Sequence, residues 1–495
     1  MKHFSAYPRK KNEHFLFHFS PFVSGNMEGF YLDRKWLLYI LGLTVISVSA
    51  GIVYGWPILR RQLLDEGGGL SEAQLGLIYT AGAVSSNAGR FFTGMIRDAM
   101  GTRFACVGCL LSVMLGTIII ALAEPDDETS LTAGIFLLGI GSGVLLCMQP
   151  VTQLFPANSS AMMAAMAGAF QISGLIFLLL SVVADRLEAY LGFAAFLLIM
   201  VALCVWFLPP TAKFISTASD TANVSSNPID TNVTGADTTT IVAEGVLKWR
   251  EEGLENGQSR WEQMRSTEYW LLVLWLVIVI TPTQFYILSL GYQMEQKGDA
   301  TGAYNNIFVF IYAGMALFAP ISGAVADSMG LGVAQALATG LVAISFAFLA
   351  APASTPLWVQ GLGFCFYGLG RLLIFGMYCS NVGRRFGFEN YGILVGFGLL
   401  CSAISSLLQY SLLEWGLQDG MWEVNITCLA VLVCTMPYMV WLGLREREEW
   451  GRIGAHTPKD TGNDNSYSEV GEVSNEKGYV KAAQDVELVE IVKIP

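Results

Sequence analysis

Charge is scarce in this sequence. Only 14% of its 495 residues are Asp, Glu, Lys or Arg, against about 25% in a soluble domain. An ordinary water-facing surface is therefore excluded. With 53% of the residues hydrophobic, the apolar excess must face lipid. Histidine is scarcer still: His3, His14, His18 and His456 all lie in terminal stretches. A G-x-x-x-x-G-K-[ST] run is missing, which excludes a P-loop ATPase. No nucleophile–base pair or metal-ligand cluster is visible, so neither an enzyme nor a cofactor is expected. The nine cysteines fall in or at the edges of apolar runs and read as small apolar packers rather than a disulfide or metal framework. The net charge of −12 sits largely in termini and loops; nothing in it points to nucleic acid.

What the chain does have is long uncharged runs. A spanning helix needs about 20 apolar residues, because hydrocarbon leaves backbone groups unsatisfied. Such runs cover Trp36 to Leu59, Ala73 to Gly89, Phe104 to Ala123, Thr129 to Ala184, Ala189 to Pro209, Tyr269 to Gly291, Thr301 to Ala326, Ser328 to Gly383, Tyr391 to Leu413 and Val424 to Leu444. The run from Thr129 is long enough for two spans and breaks near Pro150 to Ser160. The run from Ser328 breaks at Pro352 to Pro356. Twelve spans result, the second the shortest. Residues 210–266 are polar and cannot bury enough apolar surface to fold alone. The predicted organisation is an N-terminal tail over 1–35, six helices over 36–209, a linker over 210–266, six helices over 267–445 and a C-terminal tail over 446–495.

Lysine and arginine placement sets orientation. With the N-terminus in the cytoplasm, 23 of the 28 fall inside; Arg60, Arg61, Arg186 and Lys297 fall outside and Arg371 within a span. Both termini are thus predicted cytoplasmic. Asn223 and Asn232 head glycosylation patterns, but this orientation puts them on the wrong side.

A repeat relates the two halves. Gly94-Met95-Ile96-Arg97-Asp98-Ala99-Met100-Gly101 and Gly323-Ala324-Val325-Ala326-Asp327-Ser328-Met329-Gly330 both read G-x-x-x-D-x-M-G, at a constant offset of 229 residues. Each sits between the second and third spans of its half. Duplicated halves mark transporter folds in which one bundle rocks against the other. The first copy, completed by Arg103, resembles the loop motif of the major facilitator superfamily. The resemblance implies an all-α membrane protein of twelve transmembrane helices in two six-helix bundles. It implies that Gly94 permits close packing, and that Asp98, with Gly101 and Arg103, caps a helix end, pairs with basic residues and latches the cytoplasmic side. Gly323, Asp327 and Gly330 are the second set of gating candidates. Ala99 stands where the family usually has a basic residue, and none follows Gly330.

Leu154-Phe155-Pro156, Tyr367-Gly368-Leu369-Gly370-Arg371 and Phe386 to Gly392 with Gly396 resemble solute carrier family 43, which includes facilitators of large neutral amino acids. The expected partners are a small-molecule, carboxylate-bearing substrate and the lipid bilayer, and a monomer is expected, at the plasma membrane by default, with vacuolar or mitochondrial membranes open. No Asp or Glu lies well inside a predicted span. Proton-coupled carriers usually titrate such a group or a histidine, so facilitated diffusion is favoured, with sodium held by carbonyls and hydroxyls still open.

Arg371 is the single charge deep in a predicted span, a placement that costs at least about 2.5–3.5 kcal/mol. At helical spacing its neighbours include Tyr367 and Tyr378. It reads either as a guanidinium that binds a substrate carboxylate or as an arginine bonded to carbonyls of adjacent helices. Gln149, Gln171, Gln284 and Tyr54 are further binding candidates that packing hydrogen bonds would equally explain. A neutral amino acid, another organic anion such as a monocarboxylate, or a transport-dead receptor all fit. Gly51 to Gly55 and Gly139 to Gly143 are G-x-x-x-G patterns, read as close helix contacts.

Overall fold

The structure, a computed structural model, describes residues 34–155, 159–183, 185–211, 259–320, 330–387 and 390–455. Among them every regular element is helical. Gly323, Asp327, Asn223 and Asn232 lie outside the described residues.

Nine helices there are long and apolar enough to cross a bilayer. They are α3 (Thr102–Leu122), α4 (Glu128–Thr152), α5 (Met162–Leu180), α6 (Arg186–Phe207), α7 (Thr267–Gln296), α9 (Leu331–Leu349), α10 (Trp358–Phe386), α11 (Tyr391–Gln418) and α12 (Met421–Glu448). α1 is a broken span, Arg34–Ser49 and Ile52–Asp65, bent by 44°. α2 (Glu72–Met100) is long but polar along part of its length, and α8 (Ala303–Phe318) is a shorter apolar helix. These complete twelve.

The ends are set by short polar residues, as capping requires. Ser71 and Gln74 form a reciprocal capping box at the start of α2. The Asp127 carboxylate accepts from the Thr129 and Ser130 amides to start α4. Asp185 caps α6 and Ser266 caps α7 in the same way. Burial then sorts the helices. α7 is 78% buried and α4 72%, whereas α6 and α12 are 33% and 28% buried. Trp206, Ile199 and Val440 point outward from these last two, as lipid-facing helices require.

The glycine patterns are close contacts. A Cβ at Gly51 would meet the Phe170 carbonyl at 2.4 Å, and one at Gly55 the Gly174 carbonyl at 2.4 Å, so α1 lies on α5. A Cβ at Gly139 would meet Ser85 Oγ at 1.9 Å, and one at Gly143 Thr93 Oγ1 at 2.1 Å, which seats α4 on α2. All nine cysteines are free. Cys106 and Cys109 stand at a C-x-x-C spacing on α3, with Cys106 Sγ 3.9 Å from Cys204 Sγ on α6.

α2 runs antiparallel along α11. A Cβ at Gly76 would meet Leu413, the Asn87 amide donates to Ser406 Oγ at 3.3 Å, and Gly396 abuts Phe91. α5 meets α8 where a Cβ at Gly168 would lie 2.9 Å from the Ala316 carbonyl. The first six helices thus close on the last six along two seams, and the space between those seams holds the candidate site.

Candidate functional site

Arg371 stands midway along α10, and Tyr367 one turn before it. Its Nη1 donates to Tyr367 Oη at 3.2 Å, and its Cζ lies 4.3 Å from the centroid of the Tyr54 ring on α1. Tyr367 Oη in turn donates to the Thr283 carbonyl at 2.6 Å, beside Pro282 in α7. Arg371 is compensated by an aromatic face and a phenol rather than by an acid; such cation–π contact in a dry site is worth about 2 kcal/mol.

Other polar groups bridge the halves here. Gln171 on α5 donates to the Gly368 carbonyl at 3.0 Å, while its Oε1 has no partner among the described residues. Gln284 on α7 donates to Tyr54 Oη at 3.2 Å and accepts from Tyr79 Oη at 2.9 Å. Phe170 on α5 stacks on Phe375 of α10, centroids 6.3 Å apart and planes 12° apart.

These groups surround a narrow cavity lined by Tyr54, Gln171, Arg371 and Phe375 together with Asn87 and Arg90. Among the described residues, no Asp or Glu lines it.

The residues expected at the site divide. Tyr54, Gln171 and Arg371 come together at the cavity; Tyr367 and Gln284 stand directly behind it, bonded to Arg371 and Tyr54. Tyr378 does not reach it: its hydroxyl is bonded to the Leu394 and Val395 carbonyls, both at 3.1 Å, which ties α10 to α11. Gln149 begins a 3-10 turn at the end of α4, is buried, and is not among the residues lining the cavity.

Arg90 is the residue that sequence reasoning missed. The apolar run of the second span stops at Gly89 and puts Arg90 in a loop, but α2 continues three turns further to Met100. Arg90 is 2% exposed. The available signal was its spacing, one turn before Gly94 and three residues after Asn87.

The ends of the bundle differ. Away from the loop motif, Arg60 is buried and donates to Glu72 on α2 and to Glu295 on α7, with N–O distances of 2.8–3.1 Å for three of its four bonds. Arg61 joins Glu295 at 3.6 Å. Arg60 is thus no outside-loop residue, as the charge count has it; it is the closing pair across α1 and α7. At the motif end, Asp98 pairs with its neighbour Arg97 at 2.6 Å, and Arg97 also donates to the Leu146 carbonyl. Arg103 is not Asp98's partner, as the resemblance implied; its Nε donates to the Leu208 carbonyl at 2.7 Å. Gly94 is not required sterically, since an added Cβ would find only Leu146 at 3.9 Å. Gly101 is required, at φ 92°.

Two helical halves with a cavity at their seam are the architecture of a membrane transporter. The sequence model of the Major Facilitator Superfamily matches residues 30–409. The chain belongs to this superfamily. It is therefore a multi-pass membrane transporter rather than an enzyme. Among curated relatives, Equilibrative nucleobase transporter 1 of Bos taurus is 22% identical over 480 residues, covering 84% of this chain and 97% of that one. Solved transporter structures agree in fold. The human organic anion transporter MFSD10 (TETRAN) superposes with a TM-score of 0.55 at 16% identity, over 82% of this chain and 99% of that one. A POT family transporter in complex with 5-aminolevulinic acid gives 0.59 at 13%, over 84% and 98%.

Proposed function

We propose that this transporter is a facilitator of nucleobases or closely similar planar, acceptor-rich solutes. One observation carries the reading: the cavity presents two guanidiniums, two amides and flat aromatic faces, and its described lining holds no carboxylate. Arginine donates to paired acceptors on a base edge, and amides read mixed donor–acceptor edges. Aromatic faces stack bases. A neutral amino acid, the substrate implied by the likeness to solute carrier family 43, would bring an ammonium group into a cavity with two cations and no lining acid. That argues for a solute without an ammonium group. The bovine relative carries "equilibrative" and "nucleobase" in its name, which supports both the substrate class and transport without ion coupling. A small monocarboxylate is the second reading, favoured by the same two unopposed guanidiniums.

Radiolabelled uptake in cells expressing the full chain tests the choice. Nucleobase entry, saturable and insensitive to sodium removal, is the expected result. Entry of leucine or lactate with no nucleobase entry would overturn it. Arg371→Ala and Arg371→Lys should each remove most uptake, because lysine reproduces a planar paired contact poorly.

The lysine and arginine bias supports both termini in the cytoplasm, and it persists when Arg90 is taken out of the count. A tag inserted within 210–266 should be reached by antibody only after permeabilisation.

A further inference from the structure

Arg90 is a second guanidinium in the cavity, contributed by α2, while Arg371 comes from α10. It is 2% exposed, and its Nε and Nη2 have no hydrogen-bond partner among the described residues. Its Cζ lies 4.6 Å from the Phe170 centroid and 5.2 Å from that of Phe375. Burying donors without acceptors is costly, and no acid in the described lining relieves it. Cation–π contact with the two rings offsets part of the cost of burying the charge but supplies no acceptor to Nε or Nη2. With Nε and Nη2 unpartnered among the described residues, this buried guanidinium at the cavity is poised for an acceptor that enters from outside.

Resting on the nucleobase reading above, we propose that Arg90 selects carbonyl-bearing bases over amino-bearing ones. Guanidinium nitrogens only donate. The edge of guanine or hypoxanthine that carries N7 and O6 offers two acceptors side by side, which matches the two free Arg90 donors. Adenine replaces O6 with an amino donor, so one donor would face another donor and stay unpaired. Phe170 and Phe375 supply the apolar flank that holds the ring plane. Arg371 takes acceptors elsewhere on the base and does not discriminate between these edges.

The test compares hypoxanthine and adenine in wild type and Arg90→Gln. Wild type should favour hypoxanthine by about ten-fold, the order of one good paired contact. A glutamine amide pairs with the N7 and amino edge of adenine. Arg90→Gln should therefore lose about ten-fold in hypoxanthine entry while adenine entry stays within about three-fold. An equal loss of both bases, or an unchanged ratio, overturns the proposal. Wild type that carries neither base overturns the nucleobase reading itself and the selection with it. If the variant does not reach the membrane, thermal protection of purified wild type decides: hypoxanthine and guanine should raise its Tm, and 2,6-diaminopurine should not. Equal protection by 2,6-diaminopurine overturns the selection.

Discussion

Gly101 (φ 92°, ψ 163°) and Gly330 (φ 84°, ψ 161°) hold the same backbone conformation 229 residues apart, at the starts of α3 and α9. What surrounds them differs. After Gly101 the chain is fastened to the end of α6 by backbone: Thr102 N donates to the Thr211 carbonyl, Arg103 N to the Pro209 carbonyl, and Arg103 Nε to the Leu208 carbonyl. After Gly330 the same two amides, Leu331 N and Gly332 N, donate at 2.9 Å to the two oxygens of one carboxylate, Glu446 near the end of α12. One half closes its loop with a strap of carbonyls and the other with a single negative side chain at a helix N-terminus, a favourable place for an anion. Duplication has kept the torsion angles and let the chemistry diverge, so the halves should tolerate change unequally.

The largest difference should appear at the glycines. A Cβ at Gly101 would lie 1.7 Å from the Pro210 carbonyl oxygen, a backbone atom that cannot step aside. Strain at such a torsion angle alone costs about 1–3 kcal/mol, and the clash adds to it. Gly101→Ala is expected to leave little folded protein in detergent. At Gly330 the nearest atom is Glu446 Oε2 at 3.0 Å, at the end of a side chain that can move. Gly330→Ala should cost only the torsional strain of about 1–3 kcal/mol and give measurable protein with a lowered Tm. Equal losses at the two sites would mean that the surroundings do not matter.

Next in size is Glu446→Ala, which strips both α9 amides of their charged acceptor. Hydrogen bonds to charged groups contribute about 1.5–3 kcal/mol each, so a clear fall in Tm is expected. Arg103→Ala is its counterpart in the first half. It removes one side-chain bond and leaves the two backbone bonds in place, so its fall should be roughly half as large or less. Thermal unfolding of the two purified variants side by side ranks them; a larger loss for Arg103→Ala would reverse the comparison.

This asymmetry also shows what could be read without coordinates. The repeat was legible because a constant offset needs no geometry. The twelve spans were legible where the apolar runs were clean. α2 reads short because its motif end carries Arg90, Arg97 and Asp98, and loops are the default place for charges; only packing against α11 and the cavity explains a helix through them. Arg60 escaped for the same reason, its two acids lying on α2 and, far along the chain, on α7. The partner of Arg103 was invisible because a backbone carbonyl has no sequence signature. Glu446 stands 115 residues from the amide it caps. Arg371 was legible as a solitary charge, and Tyr54 and Gln171 as polar groups within spans. Spacing puts Tyr378 on the same face as Arg371, two turns on, but its hydroxyl turns to the carbonyls of α11 instead.

The smallest expected effect on stability belongs to Asp98→Asn. Asp98 is 46% exposed on its side chain and pairs with the adjacent Arg97, and pairs so exposed contribute about 0–1 kcal/mol. Arg97 would still hold the Leu146 carbonyl. Tm and the amount of protein at the membrane should therefore barely change. Transport is a separate matter, because the pair sits against the start of α11: a Cβ at Gly392 would lie 3.2 Å from Arg97 Nη2 and 3.7 Å from Asp98 Oδ2. That is where α2 and α11 must part for the cavity to open at the motif end. Losing a contact of about 1 kcal/mol there shifts the open–closed ratio roughly five-fold, enough to alter the exchange rate of a preloaded substrate without altering stability. Gly392→Ala presses on the same pair from the other side and should act in the same direction. If Asp98→Asn lowers Tm substantially, or if both variants exchange substrate at the wild-type rate, the aspartate is no latch, and the carbonyl strap behind Gly101 alone holds this end together.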